Sequence, residues 1–125
     1  MKHCAGQTKY LIAISELLRK NGTVRCINIS EYIGVSRPSV SKMLRCLADS
    51  GLVCEDFCNS VRLTDQGKAA VSEIDGSFRE VYTFFRRFLK LPPDAAHEQA
   101  VTFISNFPQD TCNRLKSLIS RSVNK

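Results

Sequence analysis

The chain has 125 residues, 43% of them hydrophobic, and a formal net charge of +6 from 18 basic and 12 acidic residues. That length suits one compact unit, or a small domain with a short appended element, and no apolar run approaches the ~18 residues needed to cross a bilayer. The opening Met1 to Gln7 lacks the apolar run of a secretory signal, so a cytoplasmic location is expected.

Residues 8–20 carry Leu11, Ile14, Leu17 and Leu18 at helical spacing, and Asn21-Gly22 supplies a left-handed stop. A short helix fits about Ile27 to Ile33, ended by Gly34. Ser36 then stands where it can cap a third helix, with Pro38 in the first turn, where its missing N–H costs nothing. That helix is expected to run to about Asp49, with Val40, Met43, Leu44 and Leu47 as its apolar stripe. Leu52 to Thr64 reads as two short β-prone runs around a polar turn at Asp56 to Ser60, the pattern of a hairpin. Thr64 is placed to cap a long helix over about Asp65 to Lys90, in which Gly76 could mark a bend. Leu91-Pro92-Pro93 breaks the chain before a helix at about Asp94 to Asn106, and Pro108 breaks it again before a last helix at about Gln109 to Ser122.

Charge is concentrated in the first half. Between Arg19 and Cys46 lie six basic residues (Arg19, Lys20, Arg25, Arg37, Lys42, Arg45) and one acid, Glu31. On the third helix Arg37, Ser39, Ser41, Lys42 and Arg45 fall largely off the apolar stripe. Such a face can approach phosphates and still reach base edges. Arg37, Ser39, Lys42 and Arg45 are therefore candidates for base and phosphate contact, and Ser36 and Ser41 for phosphate contact or capping. Arg62, in the hairpin, is a candidate for the adjoining phosphate or minor groove. Two short helices, a basic hydroxyl-rich helix and a hairpin, in that order, make a winged helix-turn-helix.

Six cysteines are many for this length. Without a secretion signal they are expected to be reduced thiols rather than a disulfide framework. Cys54 and Cys58 are the only close pair, and no second pair or flanking histidine completes a zinc site of usual spacing. No Gly-rich phosphate loop, zinc-hydrolase motif or Cys-His constellation points to an enzyme.

The run Gly34-Val35-Ser36-Arg37-Pro38-Ser39-Val40-Ser41-Lys42-Met43-Leu44, followed by Ser60-Val61-Arg62-Leu63-Thr64-Asp65-Gln66-Gly67, resembles the diphtheria toxin repressor family. The likeness is greatest to its short, manganese transport regulator branch, and Asn113-Arg114-Leu115 resembles that branch's C-terminal helix. The resemblance implies a mostly α fold. A winged helix-turn-helix, residues 1–65, would bind DNA, and a helical domain, residues 66–125, would make a homodimer that reads a palindromic operator in double-stranded DNA. It also implies a transcriptional regulator of the repressor type, gated by manganese or iron.

The metal positions depart from that pattern. Carried across, the family's ligands fall on Lys9, Ile12, Arg79, Val101, Ile104 and Ser105. Fixed positive charge at Lys9 and Arg79 opposes a dication, and the aliphatic positions offer no donor. No cofactor is therefore expected. His97 falls where the iron branch has an ancillary histidine, but Arg79 and Thr83 stand at its partners' positions. Two readings follow: metal gating is lost and the active arrangement is built in, or another signal acts through His97 or through Cys26, Cys46, Cys54 and Cys58. A winged helix that binds only protein is a further alternative. For the homodimer, Phe103, Phe107, Cys112, Leu115, Leu118 and Ile119 are the expected interface, being more apolar surface than a short tail buries alone.

Overall fold

The computed structural model describes residues 5–123, so Met1 to Cys4, read above, lie outside it. Among the described residues six helices follow in order: α1 (Ala5–Asn21), α2 (Cys26–Ile33), α3 (Arg37–Asp49), α4 (Asp65–Arg87), α5 (Pro93–Asn106) and α6 (Gln109–Val123). The fold is mostly α, and no helix among these residues is long and apolar enough to cross a membrane. The chain divides into two compact units: Lys9–Ser72, and Glu73 onward together with the residues up to Thr8. The division falls inside α4, whereas the expected boundary at 65/66 lies at that helix's start.

The core of the Lys9–Ser72 unit is aliphatic. Leu11 and Ile14 from α1, Ile29 from α2, Val40, Leu44 and Leu47 from α3, and Leu52, Val53 and Val61 beyond it are all buried. The turn between α2 and α3 is closed by hydrogen bonds. Gly34 takes φ 82°, which a side chain would resist, and its N–H donates to the Ser30 carbonyl at 2.9 Å. Val35 N–H donates to the same oxygen at 3.2 Å, and the Ser30 hydroxyl donates to the Val35 carbonyl at 2.5 Å. α3 therefore starts at a fixed point relative to α2.

The expected hairpin is corrected. Among the described residues there is no strand, only an isolated antiparallel bridge between Val53 and Leu63. Cys54 N–H to the Arg62 carbonyl (2.9 Å) and Thr64 N–H to the Leu52 carbonyl (3.1 Å) flank it. The physical reason is tertiary. Phe57 and Val61 turn into the core, and Val61 N–H is drawn to the Val24 carbonyl at 2.7 Å. The β-prone residues are spent on burial, so the segment is a loop pinned to the unit rather than an extended ladder.

Thr64 caps α4 as expected. Its hydroxyl accepts from Gly67 N–H at 3.0 Å and donates to the Gly51 carbonyl at 2.5 Å. Gly67 is there for space: a Cβ on it would sit 1.9 Å from the Leu52 carbonyl oxygen. α4 then stops at Arg87, short of the expected Lys90. Lys90 takes φ 59°, and Leu91 N–H reaches back to the Phe85 carbonyl at 3.0 Å, which closes the helix end.

In the second unit Val81 on α4, Ala96 and Ala100 on α5, and Cys112 and Ile119 on α6 are buried. Much of the rest of its apolar surface is aromatic, and five of the rings are connected. Phe88 stacks on Phe84 (centroids 5.2 Å), Phe84 lies 6.0 Å from Phe85, Phe85 meets Phe103 edge-on at 6.2 Å, and Phe103 stacks on Phe107 at 4.2 Å. This chain of rings joins α4 to α5 and ends at two exposed rings, Phe88 and Phe107.

Candidate nucleic-acid interface

α3 divides cleanly into two faces. Val40, Leu44, Leu47 and Ala48 are buried, while Arg37, Ser39, Ser41, Lys42, Arg45 and Cys46 are exposed. The division follows from spacing: 40, 44, 47 and 48 repeat at three and four residues, and the hydroxyl and basic residues 37, 39, 41, 42 and 45 fall off that stripe. The helix start is built by Ser36. Its Oγ accepts from Ser39 N–H at 3.3 Å, and the Ser36 and Ser39 hydroxyl oxygens lie 2.9 Å apart. Ser36 is thus a cap, and the hydroxyls of both serines stand together at the N-terminal end, where free N–H groups and the helix dipole favour an anion.

Two of the basic candidates are held. The Arg45 guanidinium carbon lies 5.1 Å from the centroid of the Phe57 ring, a cation–π contact that ties the exposed face of α3 to the loop that follows. Arg62, on that loop, forms an exposed ion pair with Asp56. The Arg62 guanidinium holds the Asp56 carboxyl below the usual carboxylate range, and Asp56 in turn raises the guanidinium further. Arg37 and Lys42 are exposed on α3. Phe57 and Asp56 did not stand out in the sequence. The signal that could have found them is an acid and a basic residue on the two limbs of one turn, with one aromatic between.

His97 packs edge-on against Phe78, with centroids 5.2 Å apart. Within either unit, among the described residues, no three His, Cys, Asp or Glu side chains gather in a way that could hold a metal ion. Of the described cysteines, Cys46 and Cys58 are exposed, Cys26 and Cys54 half-buried and Cys112 buried, and none of these five is in a disulfide.

Comparison with known proteins agrees with this geometry. A family model described as the iron-dependent repressor N-terminal DNA-binding domain matches residues 6–55, from the first turn of α1 to beyond the end of α3. The transcriptional regulator MntR of Escherichia coli O6:H1 is 28% identical over 107 residues, covering 86% of this chain and 68% of that protein. The structure of the manganese regulator SloR superposes with a TM-score of 0.76 at 26% identity, over 96% of this chain and 55% of that one. Over residues 6–55 the chain matches the iron-dependent repressor DNA-binding domain, and over most of its length it is similar to manganese-responsive regulators. A manganese-dependent transcriptional repressor of this kind, solved in complex with manganese, superposes with a TM-score of 0.78 at 26% identity, over 91% of this chain and 52% of its own. The chain thus spans about two thirds of its curated relatives and about half the length of these solved ones.

The six positions onto which the resemblance carries the family's metal ligands hold side chains that do not fit a divalent cation. In the Lys9–Ser72 unit, Lys9 is exposed and Ile12 buried. In the other unit, Arg79 is exposed, Val101 and Ile104 are half-buried aliphatics, and Ser105 is buried. Two ammonium or guanidinium groups, three hydrocarbon side chains and one neutral hydroxyl supply no carboxylate, imidazole or thiolate. The Ser105 Oγ has no hydrogen-bond partner. Of the six residues expected at a dimer face, Cys112 and Ile119 are buried, Phe103 and Leu115 half-buried, and Phe107 and Leu118 exposed.

Proposed function

We propose that this chain is a sequence-specific DNA-binding transcriptional regulator, a repressor, that reads a palindromic operator as a homodimer and does so without a metal at the family's usual site. The observation that carries the reading is the face of α3. Five of its exposed residues, Arg37, Ser39, Ser41, Lys42 and Arg45, are cationic or hydroxyl-bearing, its opposite side is sealed into the core, and its start is fixed by the Gly34 turn and the Ser36 cap. In this reading α3 enters the major groove, with Arg37, Ser39 and Lys42 reaching bases or phosphates and Arg45 set by Phe57. The loop 54–62 lies beside the groove as a compact wing, with Arg62 facing the backbone. Phe107 and Leu118, exposed on the second unit, meet a second copy. Absence of metal gating is supported by the donor set: Lys9 and Arg79 bring positive charge where the family brings ligands. The protein acts as a binding protein, not an enzyme.

The test is selection from random duplex DNA, run in parallel with EDTA, with manganese or iron(II), and with oxidant. Palindromic sites bound equally with EDTA and with metal are the expected result. Binding that requires metal overturns the metal-independent part, and binding lost only with oxidant assigns control to the cysteines. On the selected site, Lys42→Ala is expected to weaken binding to all duplexes alike and to flatten the salt dependence by about one unit of slope. Arg37→Ala is expected to relax preference at one position, at a cost of ~1–3 kcal/mol.

A further inference from the structure

The loop that follows α3 carries its own counter-charge. Cys54 N–H donates to the Arg62 carbonyl at 2.9 Å, which fixes the two limbs of the loop side by side. Asp56 sits on one limb and Arg62 on the other, and their side chains pair in the open. Asp56 has little room to drift, because its neighbour Phe57 is anchored. The Phe57 ring is buried, its carbonyl oxygen lies 3.9 Å from the Cys26 Sγ, and Arg45 rests on its face. The pair is thus held by the loop's geometry rather than by two freely moving chains.

A carboxylate and a phosphate offer a guanidinium the same kind of partner, a pair of anionic oxygens. We propose that Asp56 is an internal competitor for Arg62: it occupies the guanidinium that would otherwise bind backbone phosphate, and so sets the strength of the loop's DNA contact. The inference rests on the reading of loop 54–62 as the wing. Its consequence is selective. A phosphate contact strengthens binding to every duplex alike, whereas α3 discriminates among them. Holding Arg62 back lowers affinity for all duplex DNA and leaves discrimination to the base-reading residues of α3, Arg37 and Ser39.

The experiment is a double-mutant cycle on DNA binding with D56N, R62Q and the D56N/R62Q double variant, measured on a selected duplex and on a random duplex across a salt series. Both side chains are exposed, so folding is expected to survive each change. An exposed ion pair is worth at most about a fivefold change in an equilibrium constant. D56N is therefore expected to tighten binding about two- to fivefold more in the native background than in the R62Q background, on both duplexes. Its salt dependence is expected to steepen by up to ~1 unit of slope. An equal gain in both backgrounds overturns the proposal, because Asp56 would then act only as a negative charge near DNA. A loss of affinity in D56N overturns it too, because Asp56 would then aim Arg62 at the phosphate. The K42A variant separates the two levels of the argument. If K42A weakens binding while the cycle is additive, the competitor idea alone fails. If the native protein shows no salt-dependent duplex binding, the functional reading fails with it.

Discussion

The two units of this molecule solve the problem of burial differently. In Lys9–Ser72 the large apolar side chains are mainly aliphatic and deeply buried, and the exposed surface of α3 is largely cationic or hydroxylic. Two exceptions stand on α2, where Ile27 and Tyr32 are exposed. In the second unit the buried side chains include small ones, Ser77, Ala96 and Ala100, while Phe88 (48% exposed), Leu89 (52%), Phe107 (44%) and Leu118 (54%) remain in solvent. The first unit closes around its own core and leaves charge outside. The second leaves hydrocarbon outside. On the function proposed above, the first surface suits an anionic partner and the second an apolar one.

The sharpest way to break that contrast is to attack the closure of the first unit. Gly67→Ala drives a methyl into the Leu52 carbonyl, a backbone atom that cannot swing aside. It is expected to destabilise the unit by about 3 kcal/mol, read by denaturant melting. Near-native stability would mean that α4 can shift away from Leu52 and that the unit is less tightly closed than described. The second unit is tested at its open surface. Replacing Phe107 with Glu and Leu118 with Lys is expected to leave the fold intact and to weaken self-association by about 2 kcal/mol or more. Light scattering would report a shift toward the 14.0 kDa monomer. An unchanged mass at all concentrations removes these side chains from the interface.

Smaller effects sharpen the same comparison. Ser105 buries a hydroxyl without a partner, so Ser105→Ala is expected to be neutral or to stabilise by up to about 1 kcal/mol. A clear loss of stability would show that the hydroxyl has a partner in solution. The smallest effect belongs to the Asp56–Arg62 pair. Its carboxyl titrates below the usual range because of Arg62, so its small contribution is complete above the ordinary Asp range and fades as pH falls through the lowered value. An NMR titration of the Asp56 carboxyl should show the value returning toward normal in R62Q. An identical value in both proteins would mean that the pair does not form in solution.

The sequence was legible wherever local chemistry decides the outcome. The Gly34 turn, the Ser36 and Thr64 caps and the two faces of α3 follow from capping and from helical spacing, and the structure has them at those residues. Legibility failed where distant residues compete. The β-prone run Leu52 to Thr64 suggested a ladder, but Val24 and the core claim its backbone and side chains and leave one bridge. The end of α4 was set too late because Lys90 adopts a left-handed conformation that its residue type does not announce. The C-terminal apolar set could be counted but not sorted. Spacing alone does not tell Cys112 and Ile119, which are buried, from Phe107 and Leu118, which are exposed. The site's second layer, Arg45 on Phe57 and Arg62 on Asp56, depends on a loop conformation that no periodicity encodes.

The Arg45–Phe57 contact also bears on how such a protein could be given a new target. A helix that reads DNA is adaptable only where its side chains answer to the groove alone. On the function proposed above, Arg37, Ser39, Ser41 and Lys42 form a four-position alphabet on α3, all exposed and outside the core. Arg45 is shared property, because its guanidinium rests on the ring that anchors the neighbouring loop. A library randomised at 37, 39, 41 and 42 with 45 held fixed should therefore return folded variants of altered preference. Randomising 45 as well couples each change in reading to a change in the loop, and the yield of discriminating variants should drop accordingly.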